Sequence, residues 1–320
     1  MKKVCILMML LMAVVIGCSK SNTVVDEATD TYVTVGLKAT GEINISTSSL
    51  TKAAATSSRD LYGVSVYKIV GNTRYNYACG VFDDMSLASV RLHTSDVYTI
   101  AAALVPNGKD IVTILAGTEE NAAWELPFNH TNMYKTLPLN ELIYDTTGDL
   151  NLEIGRVIPN GKSRADGYHM SNISFYYGKL ENYQPTEASV SVNLNMLRYN
   201  FGMEFRFKSE EYSKYNRIRI AFDPDKTWGN YEVHYVDVNP DAEYSTITIS
   251  PILMGSVFNS GTIKVAIGTD DNNTEFYYGD IDIERNKMYH ITVTPPDDSV
   301  NNGLNLTTET GNMTDEDKTI

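Results

Sequence analysis

The chain has 320 residues, a formal charge of −14 and an apolar share of 42%, enough for two ordinary domains each with a core of its own. Its acidity excludes nucleic acid as a partner and excludes a basic patch for lying on a membrane. Of the three Cys, Cys5 and Cys18 fall at the extreme N-terminus, so Cys79 lacks a partner for an intrachain disulfide and is expected as a small buried hydrophobe. The 21 Tyr, with many β-branched residues, favour half-buried pleated surfaces and move the expectation toward an all-β fold.

Met1, Lys2 and Lys3 make a short basic start, and residues 4–16 form an unbroken apolar run. Such a run is too short to cross a bilayer and fits the core of a secretory signal peptide. Its ending, Val15-Ile16-Gly17-Cys18, resembles the lipobox of bacterial lipoproteins. That resemblance implies removal of residues 1–17 and acylation of the Cys18 thiol, palmitate included, leaving Cys18 as the new N-terminus. The other reading is an ordinary signal peptide with an incidental Cys. Losing Lys2 and Lys3 would take the charge from −14 to −16. Ser19 in place of Asp gives no signal for the inner membrane, which leaves the cell outer membrane as the destination. Residues 18–30 are polar and read as a flexible tether.

Residues 31–37 and 42–46 alternate apolar and polar side chains and read as strands. Residues 47–59 are small and polar, an exposed linker of the kind a protease reaches. A strand is expected over 61–70 and a short helix over 85–93. Residues 98–105 and 111–116 read as a hairpin about Pro106-Asn107-Gly108, and 118–126 as a second short helix. Strands follow at 139–144, 150–158 and 171–177. The segment Asn182-Tyr183-Gln184-Pro185-Thr186 is the candidate boundary, which gives an N-terminal domain over 31–184.

Beyond it the alternation is cleaner. Phe201, Met203, Phe205 and Phe207 oppose Gly202, Glu204, Arg206 and Lys208, and Ile218, Ile220 and Phe222 oppose Arg217, Arg219 and Ala221. Further strands at 231–238, 244–249, 263–267, 275–283 and 289–293 complete a second domain over 185–302. Short strands with one apolar face at regular spacing predict antiparallel sheets packed as sandwiches. Residues 303–320 form a polar tail expected to be disordered or ordered only conditionally, with one apolar patch, Leu304 and Leu306, which would share a face if the segment were extended as a donor strand.

Chemistry is sparse. The five His lie in separate elements without metal-ligand spacing, there is no phosphate loop or nucleophile elbow, and no cofactor is expected. Residues 223–234 open like a calcium loop, but Gly229 comes one place late and His234 stands where a bidentate Glu is needed. Tyr176 and Tyr277, in aromatic clusters on strands, are the candidates for stacking on sugar rings.

Several stretches resemble the fimbrillin superfamily, the subunits and accessory proteins of type V pili. Residues 190–207 (VSVNLNMLRYNFGMEFRF) resemble its strand-Arg-strand opening of the C-terminal domain, and 281–293 (IDIERNKMYHITV) its Arg-Asn-x-x-Tyr approach to a late strand, here Arg285, Asn286 and Tyr289. Residues 61–67 (LYGVSVY), after a Ser-rich segment ending in Arg59, resemble the start of the core after the family's processing site. Its LP-Met-x-Gly segment has only a loose counterpart in Leu137-Pro138-Leu139-Asn140. The resemblance implies two transthyretin-like or Ig-like sandwiches in tandem. It implies proteolysis between Arg59 and Asp60, strand exchange with Leu304 and Leu306 as donor, and other copies or related pilus subunits as partners, beside the outer-membrane lipid reached through Cys18. A glycan-binding surface lipoprotein working beside a nutrient transporter is the second reading. An enzyme, the third, lacks a catalytic constellation.

Overall fold

The computed structural model describes residues 31–43, 59–154, 157, 173–223, 232–253, 257–269, 275–293 and 306–312. The fold is all-β. The first eleven strands are β1 (Tyr32–Gly41), β2 (Leu61–Val70), β3 (Thr73–Phe82), β4 (Ser89–His93), β5 (Val97–Val105), β6 (Ile114–Thr118), β7 (Asn121–Trp124), β8 (Leu137–Pro138), β9 (Glu141–Ile143), β10 (Tyr176–Tyr183) and β11 (Ser191–Arg198). Eight of them form one sheet in the order β4-β1-β11-β10-β5-β2-β3-β9, and β6, β7 and β8 form a small sheet of their own.

The large sheet bends over on itself. Val35 and Leu37 of β1, Val90 and Leu92 of β4 and Leu194 of β11 share one core with Val64 of β2 and Ile100 of β5, so one face of the sheet is folded against itself. The opposite face of β2, β3, β5 and β10 packs a second core, in which Trp124 and Phe128 lie over Ala101, Ala103 and Val81. Strands with core on both faces read as continuous apolar runs, and Tyr98 to Val105 is buried at every position. Cys79 lies fully buried there, and burial pushes its thiol up to about 12.

The second domain uses β12 (Asn200–Lys208), β13 (Arg217–Asp223), β14 (Glu232–Asp237), β15 (Tyr244–Leu253), β16 (Ser260–Thr269), β17 (Glu275–Glu284), β18 (Lys287–Val293) and β19 (Leu306–Asn312). Two sheets, β15-β12-β18-β19 and β14-β13-β16-β17, face each other. Phe201, Met203, Phe205 and Phe207 of β12 are fully buried between them, each Phe stabilising the sandwich by roughly 1.5–3 kcal/mol. The order repeats the first domain's. There β1 lies between antiparallel β4 and parallel β11, here β12 lies between antiparallel β15 and parallel β18. Likewise β3-β2-β5-β10 corresponds to β14-β13-β16-β17. Both domains tie two consecutive strands with a Tyr hydroxyl that accepts the backbone N–H five residues earlier, His93 N to Tyr98 Oη at 3.0 Å between β4 and β5 and Glu284 N to Tyr289 Oη at 2.6 Å between β17 and β18.

Several sequence expectations are corrected. Residues 85–93 are not one helix: Met85–Leu87 is a single 3₁₀ turn capped by Asp84, and Ser89–His93 is a strand whose buried Val90 and Leu92 alternate with exposed Ser89 and Arg91. Residues 118–126 are not helical either, because Ala122, Ala123 and Trp124 enter the core on β7. The hairpin about Asn107 does not form. Asn107, at φ 53°, leads into a helical turn, Gly108–Ile111, and β5 pairs instead with β2 and β10. Residues 150–154 make only a bridge between Leu150 and His130.

The boundary also moves. Residues 191–198, expected to open the second domain, form β11, which pairs with β1 and β10. The change of sheet comes at Tyr199, between β11 and β12. The tail expected to be disordered is ordered over residues 306–312 as β19, docked antiparallel on β18 of its own chain from Val293↔Leu306 to Lys287↔Asn312, because the edge of that sheet supplies a backbone partner.

Candidate functional site

The leading strand β1 is an interior strand, and its removal would part β4 from β11. Six residues, Gly36 to Gly41, run parallel to Ser191 to Met196, while Tyr32 to Gly36 run antiparallel to β4. Leu37 N donates to Ala88 O at 2.8 Å. Strand β1 ends at Gly41, whose φ of 99° lies in the left-handed region and whose missing Cβ would stand 2.7 Å from Met196 O. Only glycine fits there.

The next residue reaches across the domain junction. Glu42 N donates to Met196 O, and Glu42 Oε2 accepts the backbone N–H of Arg198 at 2.7 Å. Arg285 Nη1, from the two-residue turn between β17 and β18, donates to both Glu42 oxygens, at 3.1 and 2.9 Å, and to Arg198 O at 3.3 Å. The Arg198 side chain is buried, gives Nη2 to Ser174 Oγ, and leaves Nε without a hydrogen-bond partner among the described residues. Asn200 fastens the corner: its Oδ1 accepts Phe175 N at 2.5 Å, its Nδ2 donates to Ile173 O at 2.9 Å, and its carbonyl accepts Asn286 N at 2.6 Å. Asn286, at φ 55°, makes that turn sharp enough to bring Arg285 onto Glu42. A cleft of about 430 Å³, lined by Glu42, Arg285 and Lys287 among others, opens beside the ion pair.

Arg59 and Asp60 stand at the mouth of β2. The Arg59 guanidinium donates to Asp110 at 2.5 Å and to Glu119 at 3.3 Å, and hydrogen bonding to the two carboxylates raises its pKa. The same bond holds the Asp110 carboxyl below its usual range. Arg59 O accepts Lys109 N at 2.9 Å, and Asp60 Oδ1 accepts Asn107 N at 2.9 Å. Lys109 in turn reaches Asp83, which Asn140 also grips at 2.7 Å. Burial would raise the Asp83 carboxyl, but the Lys109 and Asn140 hydrogen bonds outweigh it and lower it. The peptide bond after Arg59 is therefore held at both residues by the loop that follows β5.

The other expected residues scatter. Tyr176 is 3% exposed and packs in the first domain's core, so it offers no ring to a sugar; its neighbour Tyr177 enters the core on the other face, because the first three residues of β10 are buried on both sides. Tyr277 pairs by backbone with Ile267. Leu306 pairs with Val293, whereas Leu304 and Cys18 lie outside the described residues. Glu42 was not singled out from the sequence, and Arg198 entered only as the Arg of the strand-Arg-strand stretch. The signal that points to them is Gly41-Glu42 at a strand end, together with Arg285 and Asn286 in a motif already marked. Among the described residues no group of three or more His, Cys, Asp or Glu is placed to hold a metal ion. No helix there is long and apolar enough to cross a membrane.

Strand order and site together define an all-β tandem sandwich whose interior strand β1 is held at the domain junction. No family model matches the chain, and no curated protein matches it. Among solved structures it is similar to the fimbrial anchor protein Mfa2 of Porphyromonas gingivalis, at 9% identity over 88% of this chain and 97% of that one, with a TM-score of 0.42. It is also similar to the C-terminally truncated tip fimbrial protein Mfa3 of the same organism, at 7% identity over 88% and 99%, with a TM-score of 0.32. At such identities and scores neither likeness carries an inference, and the fold rests on the strand pairings above.

Proposed function

We propose that the chain is an exported outer-membrane lipoprotein, anchored through acylated Cys18, that serves as a structural or accessory subunit of a fimbria-like assembly used in adhesion. The observation that carries this reading is the placement of β1: an interior strand joined to β2 through residues 42–60, with Arg59 immediately before the strand that resembles the start of the fimbrillin core. Cutting after Arg59 severs β1 from everything that follows it. Its departure uncovers Leu194 and the rest of the folded-over core and leaves unpaired the backbone groups of β4 and β11 that face it. That state is costly unless a strand of another subunit fills the gap, which is β-augmentation between chains. The partners are then other copies or related subunits, with the tail carrying Leu304 and Leu306 as a candidate donor that is undocked from β18 in exchange. Acyl chains are a tether independent of the fold, and more than one is needed for stable anchoring.

The test is to treat purified protein with an Arg-specific protease. A cut after Arg59, followed by oligomers, is expected. Cut protein that stays monomeric at high concentration with its leading strand still bound would overturn the reading.

A further inference from the structure

Glu42 follows the last residue of β1 and, on the exchange reading above, leaves with it. What stays behind is a site built for a carboxylate. Arg285 presents Nη1 to the place of both oxygens, and the backbone N–H of Arg198 points at the same spot from 2.7 Å. Arg198 itself is only 4% exposed, and its side chain turns away to Ser174 Oγ, so its backbone N–H is the group it offers to the carboxylate, in a poorly solvated position. The turn that carries Arg285 is fixed by Asn286 and Asn200, so the donors are positioned whether or not Glu42 is present. Just before the carboxylate, the chain must pass Met196 O at a left-handed φ with no space for a side chain.

We propose that this junction is a recognition site for a strand that ends in glycine followed by an acidic residue, and that it sets the register and the identity of the strand lying between β4 and β11. Its ligand is a carboxylate carried by a β-strand of another chain. A one-residue slip would place a side chain against Met196 and turn Val35 and Leu37 away from the core, so glycine, acid and apolar face read the same register three ways. The chain's own tail meets part of this demand. Setting Gly311 on Gly41 puts neutral Asn312 where Glu42 stands, and moves Leu304 and Leu306 to the positions of Thr34 and Gly36, off the buried face. The strand this site prefers therefore belongs to a related subunit rather than to the tail of a second copy.

The probe is a synthetic peptide of residues 31–46 added to the full chain after cutting at Arg59 and removal of the leader. The E42Q peptide is expected to bind about tenfold more weakly than the natural one, the loss of a charge-assisted hydrogen-bond pair. On R285Q protein the two peptides should bind alike, while R285K protein regains part of the difference. A tail peptide of residues 301–315 should bind at least about tenfold more weakly than the leader peptide. Equal binding of the natural and E42Q peptides, or a tail peptide as tight as the leader, overturns the proposal. If neither the natural nor the E42Q peptide binds, it is the exchange reading that fails, and the uncut chain still decides the junction. There E42Q and R285Q should each speed hydrogen exchange at the Leu37 amide, and the double variant no more than either alone. Additive effects would overturn the coupling.

Discussion

Asp145 shows how one buried charge is held. Its Oδ1 accepts Thr147 N at 2.7 Å and Thr147 Oγ1 at 2.6 Å, while Oδ2 takes Lys135 Nζ and lies 3.2 Å from His130 Nε2. Burial would raise the carboxyl, but Lys135 and Thr147 outweigh it and hold it well below the usual carboxylate range. His130 is shifted down, chiefly by burial and then by Lys135. A depressed carboxyl contributes stability that is present above its unfolded value of about 3.9 and is lost as pH falls toward the folded value. Asp145→Asn should therefore cost about 1–3 kcal/mol at neutral pH, with the gap to the natural protein narrowing below about pH 4. Urea midpoints across pH measure it, and a gap that stayed constant into acid would contradict the assignment. None of this was legible from the sequence, where Lys135, Asp145 and His130 sit in a stretch with no periodicity.

At the scale of the element, β12 tests the alternation that defines the second sandwich. Phe205 is fully buried beside Phe222, at a centroid distance of 5.9 Å, while Glu204 lies on the outer face with Arg206 and His290. Phe205→Asp puts a charge into that core and should unfold the domain. Glu204→Ala loses only partly exposed pairs and should cost no more than about 1 kcal/mol. Thermal unfolding followed by tyrosine fluorescence separates them, and comparable losses would mean the register is reversed. Strand β1 has its own weak point in Gly41. Gly41→Ala combines a strained φ with a clash against Met196 O and should loosen the end of the strand by about 1–3 kcal/mol. Faster amide exchange at Leu37, with β12 unaffected, is the expected signature.

At the scale of the molecule, the corner at Tyr199, the Glu42–Arg285 pair and the packing of Leu253 and Val257 against the first domain's core bear on where the chain can be divided. Because β11 belongs to the first sheet, a fragment beginning at residue 185 would carry Leu194 and Met196 with no core to enter. A fragment of residues 199–320 is expected to fold, one of residues 31–198 likewise, and one of residues 31–184 to aggregate for want of β11. Circular dichroism and gel filtration of the three decide it; a soluble, folded 31–184 would show that β11 is dispensable. At the same scale, Cys18→Ser should move the protein from the detergent phase to the aqueous phase on partitioning, and unchanged partitioning would refute acylation at Cys18.

What the sequence determined by itself was local. One apolar face on residues 201–207, alternation over 31–37, and turn residues between short strands follow from side-chain period, which a strand imposes on every second residue whatever lies beyond it. The lone buried Cys79 belongs to the same class, whereas the order of the tail over residues 306–312 came only from its pairing with β18. Where both faces of a strand are covered, the period vanishes, which is why Tyr176 read as available and residues 118–126 read as helical, whereas over residues 85–93 the alternation of Val90 and Leu92 follows a 3₁₀ turn and is too short a run to be told from a helix. Only the tertiary structure decided which sheet β11 joined, because a strand's partners are set by contacts far away in sequence. It alone brought Glu42 to Arg285, 243 positions apart, where a glycine with no room for a side chain and a turn held by Asn286 make one carboxylate the meeting point of two domains.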